Sequence, residues 1–178
     1  DGECTINVAA DKFTDAYGNN NTAATQFTWT LDDTSPSMTI TAKDSADTPA
    51  ALASGLTTND ATIALTFTSS EATTDFAVGD ITLVNGALSN FVVSSATVYT
   101  ATFTPTADGE CKIDVAAGAF TDAYGNNSIV ATTFTWTLDD TSPTMTITAE
   151  DSAETPAALA SGSDTKDTTI ALTFTSSE

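Results

Sequence analysis

The 178 residues include 24 Asp and Glu but only four Lys and no Arg, so the formal net charge at pH 7 is −20. This balance excludes nucleic acid and anionic membrane surfaces as partners, because both require clusters of Lys and Arg. Histidine is absent, which excludes Ser-His-Asp and Cys-His nucleophiles, and we therefore expect that the protein is not an enzyme. No apolar run is long enough to cross a bilayer, so we expect no direct membrane insertion in this segment.

The sequence repeats itself with a period of 107 residues. Residues 1–4 (Asp-Gly-Glu-Cys) return at 108–111, and 56 of the 71 comparable positions are identical. Near-identical tandem copies of this size indicate an array of domains. We therefore interpret residues 34–140 as one complete repeat, 1–33 as the C-terminal part of a preceding repeat and 141–178 as the N-terminal part of the next.

Apolar residues within the complete repeat alternate with polar residues, mostly threonine, which indicates strands with one wet face. A polar segment at 44–59 predicts a loop, with a helical turn at 50–53. The Asn85-Gly86 pair predicts a tight turn with positive φ between two strands. The residues predicted to face the core are, in chain order, Met38, Ile40, Ala42, Ile63, Leu65, Phe67, Tyr99, Ala101, Phe103, Cys111, Ile113, Val115, Phe134, Trp136 and Leu138.

Short strands separated by turn residues, without a convincing amphipathic helix, predict an all-β protein. The period is close to the roughly 100 residues of one immunoglobulin-like domain. The predicted fold class is therefore a series of tandem immunoglobulin-like antiparallel β-sandwiches, with about seven strands in each 107-residue repeat.

Acidic residues gather where one repeat meets the next. The pairs Asp32-Asp33 and Asp139-Asp140 lie at the two junctions, and Glu71 at a strand end or Asp122 on a turn could join them. Clustered carboxylates without His or Cys suit a hard cation such as calcium, which takes six to eight oxygen ligands. The alternative is that these are solvated turn residues, with Asp122 capping its own turn. No other cofactor is required.

Each repeat carries one cysteine, Cys4 or Cys111, so a disulfide within a domain is excluded. Strand alternation points Cys111 inward, which favours a buried thiol that behaves as a small apolar residue. An unpaired cysteine in an extracellular protein also suggests a disulfide between chains. Both interpretations remain open, and the first is favoured.

Two N-glycosylation sequons fall on the same predicted turn in both copies. Asn20 begins Asn-Asn-Thr and Asn126 begins Asn-Asn-Ser. Recurrence in one loop favours attached glycans. The alternative is that asparagine serves the turn itself.

Three segments of the complete repeat carry a family resemblance. The entry 33–36 (Asp-Thr-Ser-Pro), the strand end 67–71 (Phe-Thr-Ser-Ser-Glu) and the turn 120–126 (Phe-Thr-Asp-Ala-Tyr-Gly-Asn) resemble the bacterial Ig-like tandem repeats of large surface adhesins and similar long secreted proteins. The resemblance implies an extracellular or cell-surface array, with calcium stiffening the junctions. One departure is Cys111, where those repeats typically carry a small residue other than cysteine.

We therefore predict a secreted structural protein, a subunit of a filament or surface appendage that self-associates or contacts neighbouring repeats. The alternative is the stalk of a cell-surface adhesin, with the binding head elsewhere. A further alternative is exchange of strands between copies. The two leading hypotheses differ in whether the protein associates laterally or remains a single rod.

Overall fold

The computed structural model describes residues 1–45, 49–153 and 155–178. The chain divides into two compact units, Asp1–Asp139 and Asp140–Glu178. Because the described ranges leave out residues 46–48, part of the predicted loop at 44–59 lies outside the described residues. The predicted boundaries of the repeats, near residues 34 and 140, stay a prediction.

In the described part of the first unit, the regular secondary structure consists of β-strands and one short 3₁₀ turn at Val78–Asp80. Its strands are β1 (Gly2–Ile6), β2 (Phe27–Leu31), β3 (Met38–Lys43), β4 (Ala51–Leu52), β5 (Thr57–Thr58), β6 (Ile63–Ser69), β7 (Ile81–Val84), β8 (Gly86–Val93), β9 (Val98–Pro105), β10 (Gly109–Val115) and β11 (Phe134–Leu138).

Two sheets form the complete repeat. One has five strands in the order β4-β3-β6-β9-β8, and the other has four in the order β5-β11-β10-β7. All pairs are antiparallel except β5 with β11, which run parallel through Thr57↔Thr137 and Thr58↔Leu138. The predicted all-β, immunoglobulin-like class is confirmed.

The inward faces of both sheets form one apolar core. The alternation is clearest in β6, where Ile63, Leu65 and Phe67 are each no more than 1% exposed. The rings of Phe103 on β9 and Trp136 on β11 meet edge to face at 4.7 Å, which joins the two sheets. Every residue predicted to face the core is buried, because period-2 alternation sends successive side chains to opposite faces.

A second aromatic cluster surrounds Phe76, which lies outside the strands. Its ring contacts Tyr99 at 5.0 Å and Phe120 at 5.4 Å, both edge to face. The Tyr99 hydroxyl donates to the Thr73 carbonyl at 3.0 Å. These contacts fix the segment that follows β6 against the core.

The Asn85-Gly86 pair has the predicted positive φ, 59° at Asn85, but it does not close a hairpin. The strand before it, β7, pairs with β10, and the strand after it, β8, pairs with β9. The pair is a crossing between the two sheets. A Cβ on Gly86 would lie 2.2 Å from Phe103 Cζ and 2.7 Å from the Thr104 carbonyl oxygen, so glycine lets the chain cross over the core ring.

The predicted helical turn at 50–53 is wrong. Ala51–Leu52 forms β4 and pairs with Ala42 and Lys43 at the edge of the five-stranded sheet. Alanine has a high helix propensity, but a few residues cannot nucleate a helix by themselves, and the neighbouring strand offers backbone partners. The short β5 also lies within the segment at 44–59, for which the sequence predicts a loop.

The incomplete repeats have the same strand register as the complete repeat. β1 pairs with β2 through Cys4↔Trp29, and β10 pairs with β11 through the equivalent Cys111↔Trp136. In the second unit, β12 (Met145–Glu150) pairs with β13 (Ala158–Leu159) and β14 (Ala171–Ser176).

We predict that Gly86→Ala destabilises the complete repeat by about 1–3 kcal/mol, because the added methyl overlaps the Phe103 ring and a backbone carbonyl. Gly79→Ala is the matched control, since a Cβ there meets nothing within 4 Å, and it should change stability by less than about 0.5 kcal/mol. Urea unfolding followed by tryptophan fluorescence measures both. Equal stability of the two variants would contradict the predicted overlap.

Candidate functional site

Three of the six predicted acidic residues meet in the first unit. Asp32, Glu71 and Asp122 each offer a carboxylate oxygen, and these oxygens lie within 4.8 Å of one another. Asp32 follows β2, Glu71 follows β6, and Asp122 lies on the turn between β10 and β11. We call these three residues the junction cluster. It combines the end of one repeat with a strand end and a turn of the next repeat.

Asp122 is held by the turn that it caps. Its Oδ1 accepts from the amides of Tyr124 at 2.8 Å and Asn126 at 2.9 Å. Burial acts to raise the pKa of this carboxyl, but the donors on Asn126, Tyr124 and Gly125 outweigh it, and the pKa lies below the usual 3.8. Asp122 is therefore ionised at neutral pH and cannot turn away without breaking the turn.

The Asn126 side chain links this turn to the preceding repeat. Its Nδ2 donates to Asp122 Oδ2 at 2.8 Å and to the backbone carbonyl of Asp32 at 3.1 Å. The amide of Ile129 donates to the Pro36 carbonyl at 2.9 Å. These bonds attach the segment that leaves β2 to the turn of the complete repeat.

Glu71 has an electrostatic environment opposite to that of Asp122. Burial raises its pKa first, and the negative charges of Asp32 and Asp122 raise it further. None of the three carboxylates forms an ion pair with a residue that the structure describes. A bound cation would relieve this repulsion, and a set of carboxylate oxygens without His or Cys suits calcium.

A fourth acidic residue, Asp75, positions the cluster without joining it. Its carboxylate accepts from the Thr121 amide at 3.0 Å, the Thr121 hydroxyl at 2.8 Å and the Thr73 hydroxyl at 2.7 Å. Burial acts to raise its pKa, but these donors lower it below 3.8. Asp75 thereby connects the segment after Glu71 to the residue before Asp122.

The sequence contains a local signal for Asp75. The pattern Thr-x-Asp also occurs at 58–60 and 165–167, where the threonine hydroxyl likewise bonds the aspartate carboxylate. It occurs at 30–32, 106–108 and 137–139 as well, so the pattern alone does not single out Asp75. The pattern predicts a turn. It does not reveal Thr121, which lies 46 residues away in the chain.

The other predicted ligands lie outside the junction cluster. Asp33 is 76% exposed, and Asp139 and Asp140 are exposed. Among the residues that the structure describes, the three carboxylates of Asp32, Glu71 and Asp122 form the one group close enough to share a cation.

The cysteines are both free thiols in the structure. Cys111 is fully buried, and its Sγ lies 3.6 Å from Asn85 Nδ2 and 3.6 Å from the Asn85 carbonyl oxygen. Burial raises the pKa of this thiol, which lowers its reactivity. Cys4 is partly exposed. This geometry favours the buried thiol at Cys111, and a disulfide between chains stays a prediction.

The two sequons differ in their surroundings. Asn20 is exposed, whereas the Asn126 amide donates the two hydrogen bonds described above. Ser128, the third residue of that sequon, is only 3% exposed. Attachment of a glycan at Asn126 would therefore require the turn to open, while Asn20 is accessible. Glycosylation stays a prediction at both positions.

The first unit has a cleft of about 270 Å³ between β3 and the segment before β11. Its lining consists of apolar and hydroxyl side chains, among them Met38, Ile40, Ser54 and Phe134, and it contains no ionisable group. The cleft therefore offers neither an acid, a base nor a nucleophile beyond hydroxyls.

Among the described residues, no helix is long and apolar enough to cross a membrane. Comparison with curated proteins and with solved structures gave no significant match. Residues 32–137, more than half of the chain, match the family model described as the bacterial Ig-like domain. That match spans the complete sandwich and begins at Asp32 of the junction cluster, and it shows that the chain belongs to the bacterial Ig-like domain family.

Proposed function

We propose that this protein is a structural subunit of an extracellular filament or surface appendage built from tandem Ig-like domains. The family is typical of structural or adhesin-type modules and is often part of extracellular or surface proteins. Each sandwich acts as a stiff bead, the joint at Asp32 sets its attachment to the next bead, and repetition provides length.

This proposal is supported by the positions at which the two copies have different residues. Of the 15 differing positions, 14 are described in the complete repeat, and Ser128 is the single buried one among them. At the positions that both copies contain, the buried core residues are identical. The junction residues Asp32, Glu71 and Asp122 are identical as well. What is repeated is therefore a sandwich and its joint, rather than one specialised surface.

The alternative function is the stalk of a cell-surface adhesin, with the binding head in another part of the protein. The same bead and joint serve a stalk equally well. The two functions differ in lateral contacts, since a stalk projects as a single rod whereas a filament subunit associates with its neighbours.

We predict that negative-stain microscopy of the native, full-length protein will show uniform fibres in which several chains lie side by side. Lateral association follows from the filament function, because rigid beads in register present equivalent contacts along their length. Single thin rods that end in a distinct globular head would contradict the filament and support the stalk.

The junction cluster adds a second part to the proposal, namely that it binds calcium and stiffens the joint. Three carboxylates from two repeats converge without a basic partner among the described residues. A cation that binds them in the folded state, and not in the unfolded chain, stabilises the folded state.

We predict that calcium raises the melting temperature of the chain. At a calcium concentration 100 times Kd, the free energy of unfolding increases by about 2.7 kcal/mol. Glu71→Gln should weaken calcium binding at least tenfold, because one charged ligand is lost while the core is untouched. Glu3→Gln, an exposed glutamate on β1, removes the same charge elsewhere and should leave binding unchanged.

Calorimetric titration, with a chelator added at the end, measures the binding, and differential scanning calorimetry measures the melting shift. Absence of both heat and a melting shift would refute the calcium site. An equal loss in both variants would show a diffuse effect of net charge instead of a defined site.

A further inference from the structure

One long segment of this chain contains no charged residue. Residues 81–107 form a run of 27 residues without a single Asp, Glu, Lys or Arg, whereas the next longest such runs have 16 residues. The run contains β7, β8 and β9. In a chain with a net charge of −20, this segment is the place where a second acidic molecule meets the least repulsion.

Two of these strands are the outer strands of their sheets. β7 ends the four-stranded sheet and β8 ends the five-stranded sheet, and Asn85 alone separates them in the chain. Among the described residues, β7 and β8 each pair with a single strand, so both sheets present an open edge on the same side of the sandwich. We call Ile81–Val84 and Gly86–Val93 together the neutral edge.

An open edge strand has backbone N–H and C=O groups that can pair with another strand. Proteins usually protect such strands with charged residues, prolines or bulges. β8 has eight residues, neither a charge nor a proline, and one irregularity between Ser89 and Val92. Its exposed apolar residues, Val92 and Val93, are 52% and 62% exposed and lie beyond that irregularity.

The neighbouring strands favour β8 over β7 as the contact. β7 pairs with β10, which places Asp114 opposite Thr82 and Lys112 opposite Val84. β8 pairs with β9, whose opposing residues are threonines, Phe103, Tyr99 and Pro105. β8 and its neighbour β9 thus contain no charged residue. In contrast, β10, the neighbour of β7, contains charged residues.

We propose that β8 is a self-association edge, at which a second copy of this chain adds its own β8 antiparallel to the first. The same strand on both partners gives a two-fold, self-complementary contact. Backbone pairing supplies the attraction, and the absence of charge on both partners lets two acidic molecules approach. This inference rests on the proposed filament function and names its lateral contact.

The chain offers a closely matched pair of variants. Val92→Glu/Val93→Glu adds two negative charges to β8. Ile129→Glu/Val130→Glu adds the same charges at two adjacent apolar residues that are 51% and 64% exposed and lie outside the neutral edge. The first repeat has Thr22 and Ala23 at the positions equivalent to 129 and 130, so these positions tolerate non-apolar residues.

Sedimentation velocity of the 178-residue chain, over a range of protein concentrations, measures association. We expect the wild type to form dimers more strongly as salt rises from about 0.01 to 0.5 M, because screening reduces the repulsion between acidic molecules. Val92→Glu/Val93→Glu should weaken dimer formation at least tenfold, because each partner then carries two negative charges on an edge that must approach a second acidic molecule closely. Ile129→Glu/Val130→Glu should match the wild type.

Amide hydrogen exchange on the wild-type chain gives a second readout that does not depend on a variant folding correctly. We expect exchange in β8 to slow as protein concentration rises, while exchange in the turn at 122–127 stays constant. Unchanged exchange in β8 during association would overturn the proposal, because association would then use another surface.

Equal association of wild type and Val92→Glu/Val93→Glu would also overturn the β8 contact, and so would an equal loss in both variants. If native fibres form by microscopy in spite of either result, the filament function stands and only the edge is refuted. A wild type that remains monomeric at all salt concentrations, together with single rods by microscopy, would refute both.

Discussion

The rest of the structure depends on the packing of two sheets through a single layer of apolar side chains. Phe103 on β9 and Trp136 on β11 meet at 4.7 Å across that layer, and strict alternation keeps almost every charge outside it. The sheets leave their turns and strand ends in fixed places. Glu71 and Asp122 are brought together because the end of β6 and the β10–β11 turn lie on the same side of this core.

The junction shows how backbone geometry sets the charge of a site. Asp122 and Asp75 accept hydrogen bonds from amide and hydroxyl donors, which lower the pKa of each carboxyl, so both stay ionised. Glu71 lies beside two other carboxylates, and its pKa is raised. The cluster therefore holds an excess of negative charge, which no ion pair with a described residue neutralises. This excess distinguishes the junction from ordinary acidic turns, in which each carboxylate faces water.

Much of the fold was predictable from sequence because alternation is a local signal. All residues expected in the core, from Met38 to Leu138, are buried. Long-range pairing was not predictable. The Asn85-Gly86 pair signals positive φ, but whether it closes a hairpin or crosses between sheets depends on whether β7 prefers β8 or β10. Similarly, Asp122 and Glu71 were named, whereas Asp75 was missed because its partner Thr121 is distant in sequence.

Charge is distributed so that contacts between molecules are confined to few places. Most of the outer surface combines threonines with acidic residues, and two such surfaces repel each other at short range. The junction is acidic, and the calcium that we propose there would stiffen the connection between successive repeats. The β8 edge is neutral, and the self-association that we propose there would need no cation. On these two proposals the stiffness of an array would respond to calcium, whereas its lateral association would respond to ionic strength.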